Sequence, residues 1–406
     1  MKHRVVVTGL GVVSSIGMGW RPFWETLLAG RSGIRKIQYI DTTDYPTHYG
    51  GEVQDFDPLK FMPEAVARRL GRGSQFALAA TRMALEDAKL SIGPSERDCR
   101  IGVCLGTTMA DIQALESANE AWVELGEERV RPSWILQYPS CSISAQVARH
   151  FGLRGPNLMI PNACAAGNYA IGYAYDLLRL DKADIMLAGG AEPFSRTVFE
   201  GFNRILAVAP EKCQPFDKNR KGMLSGEGAG ILVLERLEDA LVRQAPIYAE
   251  VLGYGMSCDA SHMTIPNVEG VRQVMLTALR DAQLQPVDVD CINAHGTGTP
   301  ANDKTECAAI RAVFGSHTDR MPVSSVKSML GHTMGAASAL ETIACCLTVN
   351  FGYLTPTMNF ETPDPECDVD CVPNTARKAT VRVALKNAFA FGGNNASLVI
   401  GKYDGI

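Results

Sequence analysis

The stretch Pro161-Asn-Ala-Cys164-Ala-Ala-Gly-Asn-Tyr-Ala170 follows a short apolar run and places a cysteine at the start of a predicted helix. The residues after Cys164 are mostly small and apolar, so the first turns of this helix have almost no polar face and must be packed on all sides. Free N–H groups at a helix start stabilise an anion, which favours a reactive thiolate. A small buried core cysteine is the more common alternative. Distant partner residues therefore decide between the two interpretations.

The composition is that of a large globular protein. The chain has 406 residues, of which 46% are hydrophobic and 20% charged, enough to bury one extended core or two fused ones. The net charge of −5 argues against generic nucleic-acid binding. No uninterrupted apolar run of the length needed to cross a membrane is evident, so no membrane span is expected.

The cysteines bear on the cellular compartment. The chain has 12 of them, without a CxxC pair or a Cys/His spacing typical of metal sites. This usage suits free thiols in a reducing compartment more than disulfides or zinc. We therefore expect a cytoplasmic protein with no metal.

The first third of the chain offers two weaker signals. A strand is predicted over 4–8, followed by Gly9 and Gly11 in a loop. A dinucleotide fingerprint needs a third glycine, a helix directly after it and a later acidic residue, and these are absent or blurred, so no nucleotide site is expected. A helix is predicted over 63–89. Near its start lie three arginines that either face an acidic partner or are simply solvated: Arg68, Arg69 and Arg72.

The order of strand, helix, strand and loop begins again in the second part of the chain. This repetition predicts two similar halves, 1–245 and 246–406. In the second half a helix is predicted over 333–348, and its start, Gly335-Ala-Ala-Ser-Ala339, is as crowded with small residues as the cysteine stretch.

Motifs in both halves share an order and an approximate spacing with a known family. They are Ala-Cys164-Ala, Pro215-Phe-Asp217, Gly226-Glu-Gly-Ala-Gly230, Asn293-Ala-His295-Gly-Thr-Gly-Thr299, Ser325-Val-Lys327-Ser with Gly331-His332, and Phe391-Gly-Gly. Together they resemble the beta-ketoacyl-[acyl-carrier-protein] synthases of the thiolase superfamily over essentially the whole chain. The resemblance implies an α/β fold, the duplicated five-layered αβαβα sandwich, usually in a homodimer.

The resemblance also implies a reaction, the decarboxylative condensation of an acyl group with malonyl carrier protein. Cys164 would carry the acyl group as a thioester. His295 and His332 would donate hydrogen bonds to the enolate formed when malonate loses CO₂. The backbone N–H groups of Cys164 and Phe391 would hold the later oxyanion, and Lys327 would tune charge in the site.

Substrate contacts follow from the same resemblance. Thr297 and Thr299 would hydrogen-bond the phosphopantetheine arm, Phe391 would gate the acyl pocket, and Met109 would lie near the position that limits the depth of that pocket, unless it is a plain core methionine. The phosphopantetheine arrives on the acyl carrier protein, so no intrinsic cofactor is expected. The three arginines named above are the candidates for docking this acidic carrier.

Several positions depart from the family pattern, most of them around the nucleophile and its gate. They are Asn162, Ala166, Lys221, Ala390 and Asn394. These departures keep open a specialised ketosynthase of a polyketide, polyene or unusual-lipid pathway beside fatty-acid elongation. A non-catalytic chain-length partner subunit is less well supported because Cys164 and both histidines are present. Whether Glu341 helps to bind a structural monovalent cation is left open by the sequence.

Overall fold

The computed structural model describes residues 3–93 and 99–405. Its centre is a large mixed sheet with helices on both sides. The strands are β1 Val5–Ser14, β2 Gly17–Met18, β3 Arg35–Lys36, β4 Tyr49–Gly50, β5 Ile101–Thr107, β6 Asn157–Pro161, β7 Ile185–Glu192, β8 Gly228–Arg236, β9 Ala249–Cys258, β10 Cys291–Asn293, β11 Val323–Ser324, β12 Tyr353–Leu354, β13 Arg377–Lys378, β14 Val383–Ala390 and β15 Asn394–Gly401.

Helices connect these strands and cover the sheet. They are α1 Trp20–Leu28, α2 Glu64–Ala67, α3 Arg72–Asp87, α4 Ile112–Leu125, α5 Pro132–Gln137, α6 Cys141–Phe151, α7 Ala166–Arg179, α8 Arg196–Arg204, α9 Leu237–Val242, α10 Val268–Asp281, α11 Pro300–Phe314, α12 Lys327–Leu330 and α13 Ala337–Phe351.

The strand order shows a duplication. One half of the sheet runs β6-β5-β7-β8-β1 and the other runs β11-β10-β14-β15-β9, so in each half the main strands lie in the order third, second, fourth, fifth, first. The parallel and antiparallel pairings also correspond, and the halves join where Val5–Val7 pairs with Ala249–Val251. The first half of the fold ends after α9, and the second begins with β9. The predicted domain boundary between residues 245 and 246 lies in the segment that joins them and stays a prediction.

The helices form three layers around the two halves of the sheet. α7 and α13 pack against each other and against strands of both halves, α3 and α6 cover the outside of the first half, and α10 and α11 cover the outside of the second. The predicted duplicated five-layered αβαβα fold is therefore confirmed. Because α7 and α13 form the middle layer, their first turns are enclosed on all sides, as the small residues after Cys164 indicated.

One segment of the described chain, Met334–Phe351, is apolar and long enough to cross a membrane, although the sequence had suggested no such run. It consists of the turn before α13 and α13 itself, and 89% of it is buried inside the fold. Its composition is that of a core helix, whose single charged residue is Glu341.

Two predicted elements differ from the structure. Gly9 and Gly11 do not form a loop; they lie inside β1, which continues to Ser14, and a Cβ at either position would collide with the backbone of α3. The helix expected over 63–89 is interrupted after Ala67, and α3 begins at Arg72.

We predict that Gly167→Ala lowers the free energy of unfolding by about 1–3 kcal/mol, because overpacking a close helix contact forces the backbones apart. A Cβ at Gly167 in α7 would lie 2.8 Å from the backbone nitrogen of Ala339 in α13. Gly201→Ala is the matched control, since that helical position in α8 has open space and should gain up to about 1 kcal/mol. Chemical denaturation measures both, and equal stability of the two variants would contradict the close contact.

Candidate active site

Cys164 lies in a tight turn between a strand and a central helix. β6 ends at Pro161, residues Ala163–Ala165 form a single 3₁₀ turn, and α7 follows directly. Ala163 has a φ of 46°, a left-handed conformation that is uncommon for alanine. The thiol is buried, with 7% of the residue exposed. The sequence placed Cys164 at the helix start, and the structure places it in the turn immediately before the α-helix.

The second half of the fold builds the corresponding turn just after His332. Residues Met334–Ala336 form a 3₁₀ turn that leads into α13, and Met334, like Ala163, has a positive φ of 49°. The backbone of His332 is fixed by two hydrogen bonds: its N–H donates to Leu224 O at 2.6 Å, and its carbonyl accepts from Gly226 N–H at 2.9 Å. The glycine-rich motif that begins at Gly226 thus holds the histidine segment.

His295 follows the short strand β10 and is held by its backbone. The N–H groups of His295 and Gly296 donate to the two carboxylate oxygens of Glu306, at 2.9 and 2.8 Å. The carbonyl of His295 accepts a 2.7 Å hydrogen bond from Lys327 Nζ. These hydrogen bonds fix the main chain at His295 and Gly296 and do not use the imidazole nitrogens.

The structure brings the three residues together. One side-chain atom each of Cys164, His295 and His332 lies within 4.8 Å of the others. The two imidazole rings meet edge to face, with centroids 5.5 Å apart and planes at 82°. All three side chains are buried and line the same cavity.

Hydrogen bonding fixes the tautomer of His332. The backbone N–H of Met334 donates to His332 Nδ1 at 3.2 Å, so in the neutral ring the proton is on Nε2. His332 Nε2 and His295 Nδ1 are buried and have no hydrogen-bond partner among the described residues. An unsatisfied buried donor is costly, so His332 Nε2–H is arranged for a group that arrives with the substrate.

Both imidazoles are held neutral. Burial lowers the pKa of His295 well below its usual range, and the positive charge of Lys327 and the neighbouring His332 lower it further. Burial and then Lys327 likewise lower the pKa of His332. Each ring can therefore act as a neutral hydrogen-bond donor at physiological pH.

Burial favours the protonated thiol at Cys164, in contrast to the thiolate that the helix start favoured. Burial raises the pKa of Cys164 to about 12, while Lys327 and the backbone N–H of Cys164 itself oppose that rise. Desolvation of the charged form outweighs the favourable field at the helix start. Attack on a substrate therefore requires the thiol to lose its proton during the reaction.

A Cys–His–His cluster of this size is also compatible in its spacing with a metal centre, but its donor set is not. A metal ligand must offer a lone pair, but His332 Nε2 carries the proton of the neutral ring because Nδ1 accepts from the N–H of Met334. If Nδ1 carried the proton instead, its N–H group would face the N–H group of Met334. The residues therefore fit a donor site better than a metal site.

The cavity in front of the three residues has a volume of about 330 Å³ and opens to the surface. Thr297 and Thr299 line it, with their hydroxyl groups 2.9 Å apart, and their predicted contacts to the phosphopantetheine arm stay a prediction. Met109 lies elsewhere, in the turn after β5, and its N–H donates to Glu192 Oε1 at 2.8 Å. Its predicted role in limiting the acyl pocket stays a prediction.

Phe391 stands at the mouth of the cavity. Its side chain is 38% exposed and packs against Phe202, with ring centroids 5.5 Å apart. Gly392 and Gly393 have positive φ values, and the N–H of Gly392 donates to Met263 O at 2.8 Å. Ala390 is in extended backbone that any residue adopts, with φ −122° and ψ 156°.

The three arginines proposed for carrier docking are in different environments. Arg68 and Arg69 are exposed at the end of α2. Arg72 is half-buried and forms a two-point ion pair with the buried Glu227, at 2.7 and 2.8 Å. That guanidinium is engaged inside the protein, so the docking proposal below rests on Arg68 and Arg69.

The comparison with known families agrees with this geometry. A profile of the beta-ketoacyl synthase N-terminal domain matches residues 2–240, and a profile of the C-terminal domain matches residues 248–361. The chain belongs to the beta-ketoacyl synthase family. The resemblance inferred from the ordered motifs is thus confirmed.

Relatives match this beta-ketoacyl synthase over its whole length. It is 41% identical over 411 residues to 3-oxoacyl-[acyl-carrier-protein] synthase 2 of Synechocystis sp., covering 99% of each chain. Among solved structures, the ishigamide ketosynthase/chain length factor is 45% identical with a TM-score of 0.94, covering 99% of this chain and 100% of the other. A beta-ketoacyl synthase from Burkholderia phymatum is 34% identical with a TM-score of 0.92, with the same coverage.

Sequence reasoning missed several residues of this synthase that shape the site. Glu192, at the end of β7, accepts from the N–H groups of Thr108, Met109 and Gly335 and so ties the turn after β5 to the start of the second central helix. Lys386 lies buried behind the histidines. Lys386 could have been identified from the sequence, because it interrupts an otherwise apolar strand pattern. No such pattern marks Glu192.

We predict that alkylation of Cys164 by iodoacetamide accelerates continuously from about pH 6 to pH 9, because the thiol stays protonated throughout this range. Peptide mass spectrometry follows the modified Cys164 with time, and the exposed Cys141 provides an internal comparison. A rate that levels off below about pH 8 would show that the helix start and Lys327 outweigh burial.

Proposed function

We propose that this chain catalyses decarboxylative condensation of an acyl group on Cys164 with malonyl-acyl-carrier protein, giving a beta-ketoacyl-acyl-carrier protein. The observation that carries the proposal is the pair of neutral, buried imidazoles beside the buried Cys164, one of them with its Nε2–H unsatisfied. Such donors stabilise a developing enolate in a site shielded from water. Family membership gives the reaction class, and this geometry gives the residues their proposed roles.

The first half-reaction loads the enzyme. The Cys164 sulfur attacks the carbonyl carbon of the carrier thioester, forming a new C–S bond while the bond to the pantetheine sulfur breaks. The thiol proton passes to the departing pantetheine sulfur, so the step exchanges one thioester for another. Lys327 assists because its positive charge favours the anionic form of Cys164.

The second half-reaction makes the carbon–carbon bond. When malonyl carrier protein occupies the cavity, its C–CO₂ bond breaks and the electron pair moves toward the thioester oxygen, which we place against His295 and His332. The resulting carbanion attacks the carbonyl carbon of the Cys164 thioester, the C–S bond breaks, Cys164 leaves as the thiolate, and it then takes a proton from water. Thr297 and Thr299 are proposed to hold the phosphopantetheine arm, and the N–H groups of Cys164 and Phe391 to hold the oxyanion.

We propose a carrier-docking surface around Arg68 and Arg69, near the basic end of α2. The exposed guanidinium groups suit the acidic helices expected of a carrier protein, and exposed charges of this kind mainly raise the association rate. A ketosynthase 34% identical to this chain was solved with its acyl-carrier protein, which supports a carrier as the partner.

A specialised pathway is the second candidate. The ketosynthase/chain length factor structure is 45% identical to this chain, compared with 41% for the Synechocystis synthase, so the sequence is as similar to a ketosynthase with a chain length factor as to the synthase 2 relatives.

We propose a dimer, with a second copy or a chain-length subunit as partner, in the cytoplasm, where free cysteines persist. Co-purification with products of neighbouring genes would separate the two partners.

We predict that His295→Ala and His332→Ala each lower malonyl decarboxylation by about 10²-fold or more, since each removes one donor to the enolate. Transfer of an acyl group to Cys164 should fall much less. Intact-protein mass spectrometry measures the transfer and CO₂ release measures decarboxylation, with Cys164→Ser as the control that abolishes acylation. Decarboxylation at the wild-type rate in either histidine variant would refute the enolate role.

We also predict that Ala390→Gly raises the rate of Cys164 acylation a few-fold or broadens acyl acceptance. Glycine moves between backbone states more freely than alanine, by about 0.4–1 kcal/mol, and Ala390 is the last residue of β14, directly before Phe391. Single-turnover acylation with carriers of several chain lengths measures the effect. Malonyl decarboxylation should stay nearly unchanged, and identical acylation rates and preferences would exclude Ala390 from control of the gate.

A further inference from the structure

Lys386 is a fully buried lysine in the middle of β14. A charged ammonium in such a position costs several kcal/mol unless it is paired and hydrogen-bonded. Its Nζ lies 2.9 Å from Glu341 Oε2 and also donates to the backbone carbonyl of Asn387. Burial lowers the pKa of Lys386, and the adjacent Glu341 carboxylate opposes that shift.

The partner of Lys386 is shared with a second lysine. Glu341 in α13 contacts Lys386 through Oε2 and Lys327 through Oε1, and 2% or less of each of these side chains is exposed. Lys327 in turn donates to the carbonyl of His295 at 2.7 Å. A continuous chain of contacts thus runs from Lys386 through Glu341 and Lys327 to His295.

The charges in this chain do not cancel. Two ammonium groups face one carboxylate, so the ionised cluster carries a net positive charge, which is screened poorly in a buried site. Glu341 has a lysine at each carboxylate oxygen, and whether it helps to bind a monovalent cation stays open. The charged and titratable groups around the two imidazoles are Lys327 of α12, Lys386 of β14, Glu341 of α13, Glu306 of α11, Glu192 of β7 and Cys164.

We propose that Lys386 is a positioning residue for the condensation: it holds Glu341 so that Lys327 stays on the His295 carbonyl, and it places a second ammonium group in the cluster beside the two imidazoles. It acts through these groups, since the described residues that line the cavity include His295 and His332 but not Lys386. Consistent with this role, Lys386 lowers the pKa of both histidines, in addition to burial and the effect of Lys327. The inference deepens the proposed function and rests on it.

Lys386→Met tests the proposal because methionine fills a similar volume without the charge. The variant cluster has one lysine and one carboxylate, so its net charge is zero and protonation of the histidines becomes easier. We expect kcat for malonyl decarboxylation to fall about 10-fold or more near pH 6 and less near pH 8, with the acidic limb of the pH profile moved to higher pH and KM little changed.

The double variant Lys386→Met/Glu341→Gln is the matched control. It removes both charges of one ion pair, so the net positive charge of Lys327 remains. We expect its acidic limb to return toward that of the wild type. If Lys386 had only a structural role, the acidic limb of the pH profile would be the same in both variants as in the wild type.

The possible outcomes distinguish failure of the proposed function from failure of the role proposed for Lys386. If the wild-type enzyme releases no CO₂ from malonyl carrier protein, the proposed function fails before Lys386 is tested. If the wild type is active and Lys386→Met has the same acidic limb and the same kcat near pH 6, the positioning role is overturned. The role is also overturned if the single and double variants, both folded by circular dichroism, have the same shifted limb.

Discussion

A buried positive charge behind two imidazoles is the constraint on which the rest of this site depends. Lys327 and Lys386 share Glu341, and Lys327 also holds the backbone of His295. Protonating either histidine would add a positive charge near Lys327 and Lys386, with little water to screen it. The imidazoles thus stay neutral, and two neutral donors can stabilise an enolate without binding the malonyl carboxylate that must leave.

The duplicated fold explains how these groups meet. Each half makes the same strand order and the same 3₁₀ turn, with a left-handed residue at its start, before a central helix. In the first half this turn contains Cys164, and in the second half His332 lies just before it. Because α7 and α13 touch without room for a Cβ at Gly167, the two turns are fixed side by side. A repeated fold therefore gives rise to an asymmetric active site.

Much of this could be predicted from the sequence, because the ordered motifs around Cys164, His295 and His332 are local and their family resemblance extends over the whole chain. The failures have physical causes. Gly9 and Gly11 suggested a loop, but they are the positions where α3 packs directly on the backbone of β1. This contact depends on tertiary packing and cannot be inferred from the local sequence. Arg72 looked like a surface charge, yet it pairs with Glu227, which is distant in the sequence. The protonation state of Cys164 depends on how much of it is buried, which no sequence pattern measures.

The most direct test of the account is the nitrogen NMR spectrum of the two imidazoles in the wild-type enzyme, assigned with the single variants His295→Gln and His332→Gln. The account predicts two neutral rings at about pH 7, with the proton of His332 on Nε2, and no imidazolium signal from either residue down to about pH 6. An imidazolium signal from either ring at neutral pH, or a His332 proton on Nδ1, would contradict it.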